Sequence, residues 1–278
     1  MRTYVVTGAT GLFGPYLMEA AARRGKAVGW SRHSGQAVDL LDDDAVARAI
    51  AEAQPDVVIH AAALTDVDRC EREPALADKA NRQTTRNLAR HLPPAARLVY
   101  VSTDQVYPNR PGPHREGSEA PVNTYGTTKL AGEHEALAHH SCLALRLNLF
   151  GPSRTAGRKS LSDFFVESLA GRKPTTLFRD SFFSPLHMAT LAEMILDLAA
   201  TRATGTYNVG SRAGMSKRDF ALAIAAHLAL PTESAVDADS QDMPNRAPRP
   251  RDLRLDVSAV EAVLGRSMPT LMQEVARL

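Results

Sequence analysis

The sequence predicts an α/β fold, a doubly wound parallel sheet with a smaller C-terminal substrate-binding region. Two observations predict it. Short apolar runs alternate with helix-patterned stretches through the first half of the chain. Such alternation means βαβ units, whose strands are covered on both faces by helices. The segment Gly8-Ala9-Thr10-Gly11-Leu12-Phe13-Gly14 stands where the first run gives way to the first helix. In an open α/β sheet that turn is where phosphates meet a helix N-terminus.

The elements follow in order. Tyr4-Val5-Val6-Thr7 is the first strand, and a helix is predicted over about residues 12–24. Ala27-Val28-Gly29-Trp30 is the second strand. Residues 43–53 read as a helix whose start is favoured by Asp42-Asp43-Asp44, since acidic side chains complement a helix N-terminus. Pro55-Asp56 leads into Val57-Val58-Ile59-His60, and one long helix is predicted over about 73–91, stopped by Pro93-Pro94. A strand over 98–102, a helix over 123–140 and a strand over 143–147 complete the first half. We place the dinucleotide-binding domain at 1–150, with segments near 184–210 returning to it. Residues 151–278 are read mainly as the substrate-binding region. There the texture changes to short strands with helices at 161–170, 188–200, 216–228 and 257–264.

Composition narrows the function. A chain of 278 residues is long enough for a large core. A formal charge of +2 leaves no global nucleic-acid footprint. The two cysteines, Cys70 and Cys142, exclude a disulfide framework and a CxxC metal pattern. Cys142 opens the apolar run 143–147 and is read as a buried strand residue. The nine histidines lack HExxH-type spacing, so no metal is expected, and His187 is read as packing against the sheet. No apolar stretch is long enough to span a bilayer, and the chain runs directly into Tyr4-Val5-Val6 without a signal-like region. A soluble, cytoplasmic protein without membrane or nucleic-acid partners is expected; a homodimer is compatible with the sequence.

The glycines follow a GxxGxxG spacing, which admits a tight turn and close approach of backbone to phosphate. Cofactor contacts are therefore expected from Gly8, Thr10, Gly11, Leu12, Phe13 and Gly14. An acidic ribose ligand is normally sought about twenty residues further on. Instead the second strand ends Gly29-Trp30-Ser31-Arg32-His33. Arg32 and Ser31 suit a 2′-phosphate, which points to NADPH, with NADH the alternative. A solvated Arg32 is the competing reading, and Asp39-Leu40 is placed at the adenine.

Tyr125 and Lys129 stand one helical turn apart and share a face. Of six tyrosines, only Tyr125 is followed by a lysine at the fourth position. Ser102-Thr103 closes the strand before that helix. A nearby ammonium lowers a phenol's pKa, so Tyr125 is expected to exchange a proton with a substrate oxygen that Thr103 holds. This set is suited to carbonyl/alcohol redox chemistry. Arg246, Arg249, Arg251 and Arg254 crowd a proline-containing stretch near 244–254. Arg249 and Arg251 are assigned to a substrate diphosphate, against the alternative of a solvated loop.

Taken together, these segments resemble the extended short-chain dehydrogenase/reductases, and within them the dTDP-4-dehydrorhamnose reductase branch. The resemblance rests on Thr7–Gly14, on His60-Ala61-Ala62-Ala63-Leu64-Thr65-Asp66-Val67-Asp68, and on Asn81. It continues through Val101–Tyr107, Tyr125-Gly126-Thr127-Thr128-Lys129-Leu130-Ala131-Gly132-Glu133 and Leu145–Gly151. Gly205–Gly210 and Arg249–Asp256 are also similar. The resemblance implies Thr103, Tyr125 and Lys129 as the catalytic set, with Lys129 also on the nicotinamide ribose. It implies cofactor contacts from Ala61, Ala62, Ala63, Ser102 and Leu149, and substrate contacts from Thr65, Thr103, Asp104, Gln105 and Asn148. The implied reaction is hydride transfer from NADPH to C4 of a nucleotide-linked 4-keto-6-deoxy sugar. Gln105 stands where these reductases carry an aromatic residue, and Leu147–Pro152 reads more like the epimerase branch. An NAD-dependent nucleotide-sugar epimerase or dehydratase is thus one alternative. A non-catalytic NADP-binding regulatory partner, like the regulatory subunit of methionine adenosyltransferase, is the other.

Overall fold

The computed structural model describes residues 1–32, 36–240 and 246–278. From the N-terminus the elements are β1 (Thr3–Thr7), α1 (Gly14–Ala22), β2 (Lys26–Ser31), β3 (Gln36–Ala37) and α2 (Asp43–Ala53). Then come β4 (Val57–His60), α3 (Val67–Arg72), α4 (Pro74–Asp78), α5 (Thr84–His91), β5 (Arg97–Val101) and α6 (Thr124–Leu137). They are followed by β6 (Cys142–Leu147), β7 (Leu149–Phe150), α7 (Leu161–Ala170), β8 (Thr175–Phe178), β9 (Phe182–Phe183) and β10 (Leu186–His187). The remainder is α8 (Met188–Ala200), β11 (Gly205–Val209), β12 (Met215–Ser216), α9 (Lys217–His227), β13 (Ala235–Ala238), β14 (Asp252–Leu253), α10 (Ser258–Leu264) and α11 (Leu271–Val275).

The central sheet has seven strands in the order β11-β6-β5-β4-β1-β2-β3, all parallel. It is a doubly wound, Rossmann-like sheet. The order reverses between β1 and β4, which opens a crevice at their carboxyl ends. One face buries Val6, Leu17, Ile59, Leu145 and the α8 residues Leu191 and Ile195. The opposite face buries Val5, Trp30, Val46, Ile50, Leu88 and Ala136. The consecutive apolar residues of β4, β5 and β6 therefore point alternately into two cores, and both cores are filled.

Local chemistry sets the ends of these helices. Asp42 caps α2 by accepting from the Ala45 N–H at 3.0 Å, as its acidic run suggested. Asn123 caps α6 through the Gly126 N–H at 2.8 Å. The first helix starts at Gly14, two residues later than expected, with Pro15 in its first turn.

The single helix expected over 73–91 is instead interrupted. Asp66 caps a separate α3, Pro74 begins α4, and a π turn at Lys79–Gln83 joins α4 to α5. The wide turn presents the Asn81 side chain to the chain after β4. Its carbonyl accepts from the Leu64 N–H at 2.8 Å, and its amide donates to Leu64 O at 3.2 Å and Thr128 Oγ1 at 3.1 Å. Regular helix geometry was exchanged for three polar contacts that tie the β4 loop to α6.

Downstream, β11 pairs with β6 as the seventh strand, and α8 packs beside α1. The remaining short strands form separate small sheets, β12-β9-β14, β13-β8 and β10-β7. Among the described residues, no helix is long and apolar enough to cross a membrane.

Candidate active site

The glycine loop lies between the carboxyl end of β1 and the start of α1. Gly8 has φ +70, and a Cβ there would stand 2.9 Å from the Ala62 nitrogen. A Cβ at Gly14 would stand 2.3 Å from Ala9 O, so no larger residue fits the turn. The loop is thereby pressed against Ala61-Ala62 after β4, at the crevice where the strand order reverses. Phe13 occupies the N-cap of α1 and offers no side-chain cap. The helix dipole and its first N–H groups are left for an anion, which a dinucleotide pyrophosphate supplies. Thr10 is exposed, and Gly11, Leu12, Ala61, Ala62, Ala63 and Leu149 are half-buried around this crevice. These residues fit a dinucleotide.

At the next strand end, Arg32 is exposed and Ser31 half-buried; His33 lies outside the described residues. The Asp39 carboxylate accepts from the Leu41 N–H at 3.0 Å, and Leu40 is buried. Beneath the crevice His60 bridges Thr7 Oγ1 at 2.7 Å and Thr85 Oγ1 at 3.1 Å. Burial and the Lys129 charge hold this imidazole down at about 3, so it is neutral and acts as a hydrogen-bonding strut.

Thr103 and Tyr125 come together from the end of β5 and the first turn of α6. They are 5% and 8% exposed, and the Thr103 hydroxyl lies close enough to the phenol to oppose the upward push of burial on it. Glycines allow this approach: a Cβ at Gly126 would lie 2.2 Å from Gln105 O, and one at Gly132 would lie 2.3 Å from the Tyr100 hydroxyl. Lys129 is buried on the same helix face, yet its ammonium takes a different direction from the one expected. It donates to Val101 O at 2.8 Å and sits 4.1 Å from the centre of the Tyr100 ring. Burial holds it down at about 7 against the pull of Glu133. The phenol of Tyr125 is pushed up by burial rather than lowered, with the Thr103 hydroxyl only partly opposing this. The spacing placed both groups on one face, but a backbone carbonyl and a ring captured the ammonium.

Ser102, expected at the cofactor, is buried and donates to Glu133. Glu133 in turn pairs with Arg146, with contacts at 3.0 Å from Nε and 2.6 Å from the second terminal nitrogen. Arg146 also reaches Tyr107 at 3.0 Å and Glu119. Tyr107 donates to Asn208 Oδ1 at 2.6 Å. This network locks α6 to β6 one helical turn on from Lys129.

On the substrate side, Asp104 is 1% exposed and accepts from Asn148 at 2.7 Å. Gln105 is half-buried and accepts from Asn123 at 3.1 Å, while Thr65 is exposed. Asn123 also donates to Pro248 O at 2.9 Å, which pins the arginine-rich segment over the start of α6. Arg249 is bidentate on Asp68, at 3.1 and 2.8 Å, and holds that carboxyl at about 2. Arg251 is exposed, and its N–H donates to Asn109 at 3.0 Å. The structure thus separates the two arginines that the sequence grouped. Residues 244–245 of the segment lie outside the described residues.

The sequence reading missed Lys217, at the start of α9. It is half-buried and shares electrostatic contact with Asp104, Arg246 and Arg249. Only its place after the Ser216 cap marks it, and that signals a helix start rather than a site. Among the described residues, no group of three or more acidic, His or Cys side chains is arranged to hold a metal.

Comparison with known proteins adds four findings. The sequence model of the RmlD substrate binding domain family matches residues 1–278. The chain is 34% identical over 294 residues to the probable low-salt glycan biosynthesis reductase Agl14 of Haloferax volcanii, covering 98% of this chain and 96% of that protein. It is 31% identical to methionine adenosyltransferase 2 subunit beta of Pongo abelii, over 96% of this chain and 84% of that one. Among solved structures, the dTDP-4-dehydrorhamnose reductase of Bacillus anthracis in complex with NADP superposes with a TM-score of 0.90 and 27% identity, over 100% and 98% of the two chains.

Proposed function

The chain belongs to the RmlD substrate binding domain family, and on that premise we propose that it is an NADPH-dependent reductase of a nucleotide-linked 4-keto-6-deoxy sugar. One observation carries the reading. The glycine cradle and the Thr103–Tyr125 pair lie at the carboxyl ends of β1 and β5, on either side of β4. A dinucleotide held by the cradle and a carbonyl held by the hydroxyls then meet across one crevice. The solved reductase with NADP and the reductase from Haloferax support the same assignment.

When bound, the reduced nicotinamide supplies the hydride. The chain's own residues do the remainder. Gly8, Gly11, Gly14 and the uncapped start of α1 receive the pyrophosphate, and Ser31 and Arg32 receive the 2′-phosphate. Thr103 holds the substrate's carbonyl oxygen, and Tyr125 passes it a proton. Burial keeps that phenol protonated, as a general acid must be before it acts. Lys129, beside the end of β5, holds the nicotinamide ribose in this reading. Gln105, Asn148 and Arg249 line the substrate side.

The first test is a screen of dTDP-, UDP-, GDP- and CDP-linked 4-ketosugars, followed by loss of NADPH absorbance. The reductase reading predicts stoichiometric NADPH loss with at least one of them. The likeness to methionine adenosyltransferase 2 subunit beta supports a second reading, a non-catalytic NADP-binding partner. NADPH binding without turnover across the whole screen would favour that reading instead.

Cofactor choice has its own test. Arg32→Ala should weaken NADPH binding by about 1.5–3 kcal/mol while leaving NADH nearly unchanged, because only NADPH carries the 2′-phosphate. Fluorescence titration of the two cofactors measures it. Equal losses, or none, return Arg32 to solvent.

A further inference from the structure

We propose that Asp104 is the proton reservoir of this site, returning a proton through the Thr103 hydroxyl to the Tyr125 oxygen after each reduction. The proposal rests on the reductase reading above. Its basis is a short chain of polar atoms leading inward from the phenol. Thr103 is the side chain that opposes the upward push on the Tyr125 phenol, and its Oγ1 stands 3.3 Å from Asp104 Oδ1, donating to the carboxylate and accepting from the carboxylic acid. The second Asp104 oxygen accepts from Asn148 Nδ2 at 2.7 Å. At 1% exposure, Asp104 is as buried as a core residue, yet among the described residues it forms no ion pair.

An ionised carboxylate is costly to bury when only neutral donors surround it. The groups facing Asp104 are Gln105 on its own turn, Asn148 after β6, Tyr125 on α6, and Lys217 on α9, which acts at a distance. Burial outweighs their pull and pushes the acid up to about 6. An acid in this range exchanges protons near neutral pH, as a donor to a catalytic phenol requires.

The proton count closes. As hydride reduces the ketone carbon, the Tyr125 O–H bond breaks and the new alcohol takes the proton. The phenolate takes the Thr103 proton, and the Thr103 oxygen takes the proton of the Asp104 carboxylic acid. The net change moves one proton from Asp104 to the product. The carboxylate regains a proton from water once the product leaves.

A relay acts after the first turnover, whereas a positioning contact acts in every turnover. Stopped-flow mixing of Asp104→Asn with NADPH and an accepted ketosugar separates the two. The relay predicts a burst of one NADPH oxidised per site at close to the wild-type rate, then a steady state roughly tenfold or more slower. Wild-type enzyme should show no such burst. Asp104→Glu, which keeps the acid, should restore the steady state. An unchanged steady state in Asp104→Asn, or a first turnover slowed as much as later ones, overturns the relay while leaving the reductase reading intact. No NADPH loss with wild type overturns both.

Should Asp104→Asn fail to fold, Asn148→Ala carries the test. Removing a donor to the carboxylate raises its pKa. Reduction needs the acid form, so steady-state turnover falls as pH rises through that pKa. The alkaline limb should therefore move to higher pH in Asn148→Ala, and an unmoved limb overturns the proposal.

Discussion

Tyr125→Phe is expected to lower turnover by roughly 10²-fold or more while leaving NADPH affinity and the fold nearly intact. The substitution removes one oxygen from a side chain that is 8% exposed and packed beside Cys70, Ala77, Leu64 and Val67. That apolar surround still holds a phenyl ring, so a structural collapse is not expected. On the proposed mechanism what is lost is the proton donor, since burial keeps the phenol protonated. Steady-state kcat on the ketosugar accepted in the screen, with NADPH titration as the control, gives the answer. A kcat near wild type removes Tyr125 from the role of acid.

The largest expected effect on stability comes from the Glu133–Arg146 pair. The two side chains are 1% and 3% exposed and meet at 2.6 Å. Glu133→Leu alone leaves a buried guanidinium with less compensation, and Arg146→Leu alone leaves a buried carboxylate. Each should cost about 3–5 kcal/mol, because a stranded buried charge retains its desolvation penalty. The double substitution should recover most of that loss, since apolar pairs of similar volume replace buried ion pairs at little cost. Denaturant midpoints of the four proteins measure it. Additive losses in the double variant would show that the two side chains contribute independently, with no coupling between them. The same variants should slow catalysis, because Glu133 also accepts from Ser102 and opposes the fall of the Lys129 pKa.

Much of this architecture was legible because it depends on local spacing. Consecutive apolar residues at 57–59 and 98–101 marked strands buried on both faces, and they lie in β4 and β5. The three glycines marked the turn between β1 and α1, and the structure shows why each is small: a Cβ would stand 2.9, 3.0 and 2.3 Å from backbone atoms at Gly8, Gly11 and Gly14. Tyr125 and Lys129 fall on one face of α6, as period 3.6 requires. The features that escaped are long-range. Nothing near Lys129 announces that Val101 O and the Tyr100 ring will take its ammonium. Arg249 finds Asp68 across 181 residues, so its pairing could not be read from the arginine-rich segment itself. The π turn at Lys79–Gln83 breaks a stretch whose propensity is helical throughout, because Asn81 is satisfied by Leu64 and Thr128 instead. In each case tertiary hydrogen bonding overrode the local pattern.

The central claim is that this site moves a hydride from NADPH to a sugar carbonyl, and isotope transfer tests it most directly. NADPH carrying deuterium at the transferable C4 position of its nicotinamide is incubated with an accepted nucleotide 4-ketosugar, and the product is examined by NMR. One deuterium at the sugar's C4 carbinol, with one NADPH oxidised per product formed, is the result predicted here. A rearranged sugar without deuterium, made with no net loss of NADPH by protein that carries bound NAD, would contradict it and assign the chain to epimerase chemistry.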